Sequence, residues 1–223
     1  MEGFAGLTAT LARELKQRQR WNRVLGKIKH ISYDSVMEPK LEAGWVGVED
    51  YLAGEQRSPA RHEYIGGVTY AMAGASDEHI ALCMALAFAL RSHVQGTPCR
   101  VQMSEGKARL RLANEDIFYY PDIMVACDPR DTDRYFKRFP RVLIEVLSET
   151  TEAIDRREKF LSYRQIETLE EYVLVAQDKM EVTIFRRANN WQAEVLRKAE
   201  DVVRLPSLEF SLPLKAIYQD VKI

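Results

Sequence analysis

After about residue 44, apolar and polar residues follow two periods, and together they predict alternating strands and helices. Residues 107–112 (KARLRL) alternate with a period of two, which is typical of a strand with one buried face. Residues 117–127 and 141–148 are almost continuously apolar, as in strands that are buried on both faces. Between Gly74 and Gly96 the apolar residues recur at helical spacing, which predicts the longest helix.

The long helix has cap candidates at Ser76 and Asp77. We expect its apolar face to consist of Ile80, Met84, Ala87 and Phe88, with Val94 as a further candidate. A Gly66-Gly67 turn predicts a hairpin before it, and a second helix is predicted over residues 152–166. Because strands surround these helices, the pattern favours a mixed α/β fold over separate domains.

Residues 1–40 differ from the rest because their charge is strongly basic, with Glu14 as the nearby opposing charge. The basic residues cluster between positions 13 and 29, at Arg13, Lys16, Arg18, Arg20, Arg23, Lys27 and Lys29. Three interpretations stay open: an arm that contacts DNA, a weakly ordered extension, or translated upstream sequence before a start at Met37. The sequence therefore predicts a basic extension over 1–40 and a folded domain over 41–223.

Composition limits the function classes further. The 223 residues carry 32 Lys and Arg against 33 Asp and Glu, and the resulting net charge of −1 counts against a strongly nucleic-acid-binding surface. No apolar run approaches the roughly 20 residues that a membrane span needs. Cys83, Cys99 and Cys127 are widely spaced, so we expect three reduced packing cysteines in a cytoplasmic protein rather than a zinc cage.

Two carboxylates interrupt the most apolar strands, and the strand pattern itself gives no reason for them. Asp122 follows Pro121, and Glu145 lies between Ile144 and Val146. Side chains alternate along a strand, so Glu145 shares a face with Leu143 and Leu147. The two carboxylates converge if their strands are adjacent. Such a pair suits a hard cation such as Mg²⁺. A structural salt bridge to a nearby arginine is the alternative for Glu145.

The blocks RHEYIGGVTYAMAG, YYPDIMVACDPRD, LIEVLSETTEAIDRREKFLSYRQI and LEEYVLV, in this order, resemble the Uma2 family (domain of unknown function 820, DUF820). That family is placed in the PD-(D/E)XK nuclease superfamily, and the resemblance covers about residues 44–220. It implies a restriction-endonuclease-like core, in which a central mixed sheet is flanked by helices. It also implies a Mg²⁺ site, with Mn²⁺ as a substitute, and DNA as the substrate.

The resemblance assigns roles to individual residues. Asp122 matches the aspartate of the PD motif, Glu145 matches the acid of the (D/E)XK element, and Glu63 matches an additional N-terminal acid, so these three are the expected metal ligands. The motif places a lysine two residues after Glu145, but that position is Leu147. Lys159 is the expected substitute.

Other residues near these motifs have simpler interpretations. Lys107 is a second candidate for the missing lysine. Asp155 and Lys159 are four residues apart on a helix, so an exposed ion pair is the alternative to a catalytic Lys159. For His79, in the first turn of the long helix, a surface or capping role is expected, with a place in the lining of the site as the alternative.

Taken together, the sequence predicts a Mg²⁺-dependent endonuclease with Asp122, Glu145 and Lys159 as catalytic residues. A homodimer would allow both DNA strands to be cut. Two alternatives stay open: a non-catalytic binding module that keeps the nuclease fold, which Leu147 and the neutral charge favour, and a nuclease that acts on RNA.

Overall fold

The computed structural model describes residues 45–149 and 151–223. The basic extension predicted for residues 1–40 lies outside these ranges. The described chain forms two compact units, the first from residues 45–72 and 111–117, the second from residues Ala73–Leu110 and Phe118–Ile223. That residues 41–223 act as one domain stays a prediction.

The described residues form a mixed α+β fold with short helices and many strands. The helices are α1 Val48–Glu55, α2 Asp77–His93, α3 Glu152–Ile154, α4 Phe160–Tyr163 and α5 Leu214–Ile217. The strands are β1 His62–Ile65, β2 Val68–Ala71, β3 Arg100–Met103, β4 Lys107–Leu112, β5 Glu115–Tyr119, β6 Ile123–Ala126, β7 Phe136–Lys137, β8 Pro140–Leu147, β9 Glu171–Ala176, β10 Val182–Arg186, β11 Ala193–Leu196, β12 Val202–Leu205 and β13 Phe210–Pro213.

The first unit contains α1 and the hairpin predicted at Gly66-Gly67. Strands β1 and β2 pair antiparallel, and the two glycines between them have φ values of 55° and 96°. Positive φ at both central residues defines the turn that matches the twist of a two-residue hairpin, and glycine adopts it without steric cost. The predicted hairpin is therefore confirmed.

The second unit is built on a six-stranded mixed sheet in the order β11-β10-β9-β8-β6-β3. Strands β8 and β9 run parallel, whereas the other neighbours in this sheet pair antiparallel. The parallel pair needs a crossover, and the helical segment from α3 to α4 supplies it. Among the described residues, no helix is both long and apolar enough to cross a membrane.

Helix α2 covers one face of this sheet, but with a different side from the predicted one. Its buried residues are Leu82, Cys83, Leu86, Ala87 and Leu90. Of the predicted face, Ala87 and the capping residue Val94 are buried, while Ile80, Met84 and Phe88 are 46%, 61% and 77% exposed. The prediction was wrong because α2 is apolar on more than one side, so its sequence periodicity does not decide which side packs on the sheet.

The predicted strand over 117–127 is interrupted at Pro121. Strand β5 ends at Tyr119 and β6 begins at Ile123, so Asp122 lies in a bend immediately before β6 rather than within a strand. Proline lacks the N–H that a ladder position needs, which explains the break. The break places the Asp122 side chain immediately before the first residue of β6.

Two of the three cysteines form a disulfide, which corrects the expectation of three reduced packing residues. Cys99 lies just before β3 and Cys127 just after β6, and they are bonded to each other. Strands β3 and β6 pair with Arg100 opposite Ala126, so the register brings the two cysteines face to face. Cys83 is a buried free cysteine in the core, as predicted.

Candidate functional site

Strand pairing in the second unit places Asp122 beside Glu145. Strands β6 and β8 are antiparallel neighbours whose ladder begins with Ile123 opposite Ile144, and Asp122 and Glu145 are the residues next to that pair. The Asp122 backbone N–H donates to Glu145 Oε2 at 3.2 Å, and Val146 N–H donates to Asp122 Oδ2 at 2.7 Å. Two carboxylates from separate strands thus share one end of the sheet.

Glu145 is buried, with 2% of its surface exposed. Val142, Ile144 and Val146 belong to the core under α2, so Glu145 lies on the opposite face of β8. Its Oε1 accepts from Lys159 Nζ at 3.2 Å and from the Tyr163 hydroxyl at 3.0 Å. These donors compensate the burial of the carboxylate. The salt-bridge partner of Glu145 is thus Lys159, whereas the alternative interpretation expected an arginine.

Lys159 reaches Glu145 from a π-helical turn, Asp155–Lys159, which lies between α3 and α4. Its Nζ also lies 3.2 Å from Asp155 Oδ1. Lys159 and Asp155 are 7% and 2% exposed, so the alternative of an exposed ion pair is wrong. Burial raises the pKa of Asp155 above its ordinary value, and the Lys159 ammonium opposes that shift. π-Helical turns are frequent at functional sites.

The imidazole of His79 contacts Asp122, so the preferred expectation of a surface or capping role is corrected in favour of the alternative, a place in the lining of the site. Ser76 caps α2 by accepting from the backbone N–H of His79 at 3.2 Å. This leaves the imidazole to contact Asp122, with Nε2 3.0 Å from Oδ1. Burial acts to lower the pKa of His79, but the hydrogen bond to Asp122 and its negative charge act to raise it, and the net direction is upward.

Cys83 lies one helical turn after His79 and also approaches Asp122. One ligand atom from each of His79, Cys83 and Asp122 lies within 4.8 Å of the other two. Burial raises the pKa of the Cys83 thiol, and the charges of Asp122 and Glu145 raise it further. Sequence reasoning missed this group because its members are distant in the chain, although the four-residue spacing of His79 and Cys83 places both on one side of a helix.

The three other residues that the motifs single out are all buried. Glu63 is buried on β1 in the first unit, and its role as a metal ligand stays a prediction. Lys107 is buried in the second unit, with Nζ 5.0 Å from the centre of the Tyr120 ring. Leu147 is buried on β8, where the motif would have its lysine.

The donor atoms at the end of β6 and β8 fit a hard divalent cation. Asp122 and Glu145 offer carboxylate oxygens, the ligands that Mg²⁺ prefers, and Mg²⁺ is commonly held by one or two carboxylates with several waters. The Asp122 side chain is 14% exposed, which gives a hydrated ion access from solvent. Glu145 shares its charge with Lys159, so a cation there competes with the ammonium.

Comparison with a solved structure identifies the class of fold. The chain has a nuclease-like fold of the mixed α+β class. It resembles the crystal structure of a "putative nuclease belonging to DUF820" from Anabaena variabilis ATCC 29413, with a TM-score of 0.61 and 19% sequence identity. The match covers 75% of this chain and 97% of that one.

Sequence comparison then identifies the family. The Uma2 profile, described as "Putative restriction endonuclease", matches residues 48–215, and the chain belongs to this family. Two relatives come from Synechocystis sp. (strain ATCC 27184 / PCC 6803 / Kazusa). "Uncharacterized protein slr1290" is 33% identical over 77% of this chain and 90% of its own length. "Uncharacterized protein sll1609" is 31% identical over 64% and 81%, respectively.

Proposed function

We propose that the protein is a Mg²⁺-dependent endonuclease that hydrolyses phosphodiester bonds in DNA, with Mn²⁺ as an alternative cofactor. The observation that carries the proposal is the contact between the Asp122 backbone and the Glu145 carboxylate, with the Lys159 ammonium on the same carboxylate. The family description and the name of the Anabaena structure both point to nuclease activity.

In this proposal, Asp122 and Glu145 bind the cation, and Glu63 is the third ligand. Mg²⁺, when bound, supplies a water of lowered pKa and offsets negative charge on the phosphate. The protein's own contribution is to fix the carboxylates: Asp122 accepts from Val146 N–H, and Glu145 accepts from Tyr163. Fixed carboxylates do not need to reorganise when substrate arrives, which is the advantage of a preorganised site.

Lys159 serves the attacking water or the developing negative charge on the phosphate. Its ammonium is held between Glu145 and Asp155, both at 3.2 Å. A positive charge held in a buried position stabilises transition-state charge more strongly than one in water. The lysine thus comes from the helical segment after β8, whereas the motif would place it on the strand itself.

A non-catalytic binding module is the second candidate, and three observations favour it. Leu147 is a buried hydrocarbon at the motif's lysine position. Glu145 is already neutralised by Lys159, which is sufficient for a purely structural role. Net charge of −1 also gives no general attraction to phosphates.

Nicking of supercoiled plasmid DNA separates these candidates. We expect the wild type to nick DNA with Mg²⁺ or Mn²⁺, to lose activity with EDTA, and to recover it when Mg²⁺ is added back. Asp122→Asn keeps the size of the side chain but weakens the cation site, so nicking falls. Equal cleavage by wild type and Asp122→Asn would place the activity elsewhere. Cleavage of single-stranded RNA but not plasmid would assign the RNA alternative.

Two further features belong to this proposal. We propose a homodimer, because two active sites cut both strands of a duplex, and a cytoplasmic location. A reducing cytoplasm keeps thiols reduced, so this location requires Cys99 and Cys127 to be free thiols in the cell, although they are bonded to each other in the structure. Trapping free thiols in cell extracts, followed by mass spectrometry, tests the location: a cytoplasmic protein with labelled Cys99 and Cys127 fits, and full protection of both contradicts it.

A further inference from the structure

We propose that His79, Cys83 and Asp122 form a binding site for a divalent cation of the Zn²⁺ class. The inference goes beyond the nuclease proposal and does not depend on it, although the two sites share Asp122. It rests on the positions of three different ligand atoms, a nitrogen, a sulfur and an oxygen, which all lie within 4.8 Å of one another.

The three side chains come from two elements that are held firmly in place. His79 and Cys83 are one turn apart on α2, so both side chains leave the same side of the helix. Helix α2 is capped by Ser76 and packs on the sheet through Leu82, Leu86 and Leu90. Asp122 is fixed at the start of β6 by the hydrogen bond from Val146. A site between such elements is formed before a cation arrives.

The spacings agree with a tetrahedral cation. With zinc bonds of 2.0–2.1 Å to nitrogen and oxygen, two such ligands are about 3.3 Å apart, and with a bond of 2.3 Å to sulfur the sulfur lies about 3.6 Å from an oxygen ligand. His79 Nε2 and Asp122 Oδ1 are 3.0 Å apart, close to the first value. Because the sulfur lies at most 4.8 Å from the other two ligand atoms, it has to move about 1.2 Å or less to reach the second value.

The kinds of donor atom define the class of cation. Mg²⁺ takes oxygen ligands and rarely binds sulfur, whereas imidazole and thiolate ligands suit Zn²⁺ and its neighbours in the transition series. Three protein ligands with one position left for water is the arrangement of zinc sites that act in catalysis. The side chains of His79 and Asp122 are 15% and 14% exposed, so solvent can supply the fourth ligand.

A core thiol beside a hydrogen-bonded His–Asp pair would account for the same contacts without a cation. The two explanations differ in what happens to the sulfur, because only a cation ligand forms a metal–sulfur bond. Cys99 and Cys127 are joined in a disulfide, so Cys83 is the one free thiol among the three cysteines of the sequence. Any thiolate–metal signal is therefore assigned to Cys83.

Co²⁺ titration of the full-length protein, followed by absorption spectroscopy without thiol reductants, tests the proposal. We expect visible bands of tetrahedral Co²⁺, together with a sulfur-to-cobalt charge-transfer band in the near ultraviolet that Zn²⁺ abolishes. Cys83→Ser removes the charge-transfer band, and His79→Gln weakens Co²⁺ binding about tenfold or more. His93→Gln is the matched control, since His93 lies on α2 about 21 Å away and contacts the Leu208 carbonyl.

The absence of the charge-transfer band in wild type at saturating Co²⁺, or its persistence in Cys83→Ser, overturns the proposal. If Cys83→Ser does not fold, the proposal is tested by the charge-transfer band of the wild type and by the weaker Co²⁺ binding of His79→Gln. Glu145→Gln separates this site from the nuclease proposal, because it should keep the charge-transfer band while nicking is lost. A wild type that shows the band but nicks no nucleic acid would remove the proposed function and leave this site standing.

Discussion

At the level of single residues, the centre of the site consists of three buried charged side chains, those of Glu145, Asp155 and Lys159. A lone buried charge costs several kcal/mol, so each of the three depends on the others. Lys159 lies 3.2 Å from each carboxylate, and its one positive charge faces two negative ones. The excess negative charge at this end of the sheet is what a divalent cation would balance.

Removal of Lys159 should therefore weaken folding and not only activity. We expect Lys159→Met to lower the free energy of unfolding by about 3 kcal/mol, because it leaves buried carboxylates without their partner. When Glu145→Gln is already present, Lys159→Met should lower the free energy of unfolding by at least about 1 kcal/mol less than it does in the wild type, because the two side chains are coupled. Urea denaturation of the wild type, the two single variants and the double variant forms a double-mutant cycle that measures this coupling.

The control for that cycle is Lys179→Met. Lys179 is an exposed lysine in an ion pair with Glu181 at 3.6 Å, so its loss should change stability by less than about 0.5 kcal/mol. Additive effects of Lys159→Met and Glu145→Gln would mean that the contact between them carries no energy.

The position of Leu147 allows a second test of the lysine. Leu147 shares a face of β8 with Glu145, so a lysine there would approach the same carboxylate from the strand. We expect Lys159→Met to lower plasmid nicking about 100-fold. Adding Leu147→Lys to that variant should restore nicking about tenfold, since the positive charge returns to Glu145.

A matched comparison is Leu143→Lys in the same background, on the same face of β8 but on the other side of Glu145. If Leu147→Lys gives a folded protein with no gain over Lys159→Met, or no more gain than Leu143→Lys, the relocated-lysine interpretation is wrong.

The sequence predicts some of these residues and misses others for a physical reason. Glu145 stands out because the flanking residues are all apolar, so a charge there needs an explanation. His79 and Tyr163 do not stand out, because a histidine near a helix start and a tyrosine in a helix are ordinary. Their contacts with Asp122 and Glu145 depend on how α2 and α4 lie on the sheet, which local pattern does not encode.

At the scale of elements, strands were predicted better than helix faces. Strand β8 was predicted with Leu143, Glu145 and Leu147 on one face, and the residues between them pack in the opposite core as expected. A strand has two faces, so placing one residue, here Glu145, determines the face of every other residue in the strand. Helix α2 has several apolar sides, and tertiary packing chose Leu82, Leu86 and Leu90 over Ile80, Met84 and Phe88.

The disulfide between the ends of β3 and β6 is also a feature of elements, since strand register creates it. It closes a loop with a sequence separation of 28 residues. The chain-entropy relation gives a stabilisation of about 3.5 kcal/mol for such a loop. We expect Cys99→Ser to lower the free energy of unfolding by about that amount under oxidising conditions.

Under reducing conditions the wild type and Cys99→Ser should unfold at nearly the same denaturant concentration. A stability difference that persists after full reduction would show that the substitution acts through packing and not through the covalent link.

At the scale of the whole molecule, the exposed stripe of Ile80, Met84 and Phe88 is the surface that we expect a second copy to cover. The three residues are spaced four apart on α2, and such contiguous apolar patches mark interaction sites. The wild type should elute with the mass of two 25.7 kDa chains in light-scattering chromatography. Phe88→Glu should shift it to one chain, because a charge in an apolar interface is not compensated.

Ile223→Glu is the control for that shift, because Ile223 is an exposed apolar residue at the end of the chain. A wild type with the mass of a single chain across a wide concentration range would rule out the homodimer.

In the proposed mechanism, Glu145 and Asp122 together bind a cation that drives phosphodiester cleavage. Plasmid nicking in Mg²⁺ by wild type and by Glu145→Gln tests it most directly, since glutamine keeps the shape of the side chain but not its charge. Losing a metal that supplies several kcal/mol of transition-state stabilisation predicts a fall of at least about 100-fold. Nicking by folded Glu145→Gln at a rate within about twofold of wild type would contradict the account.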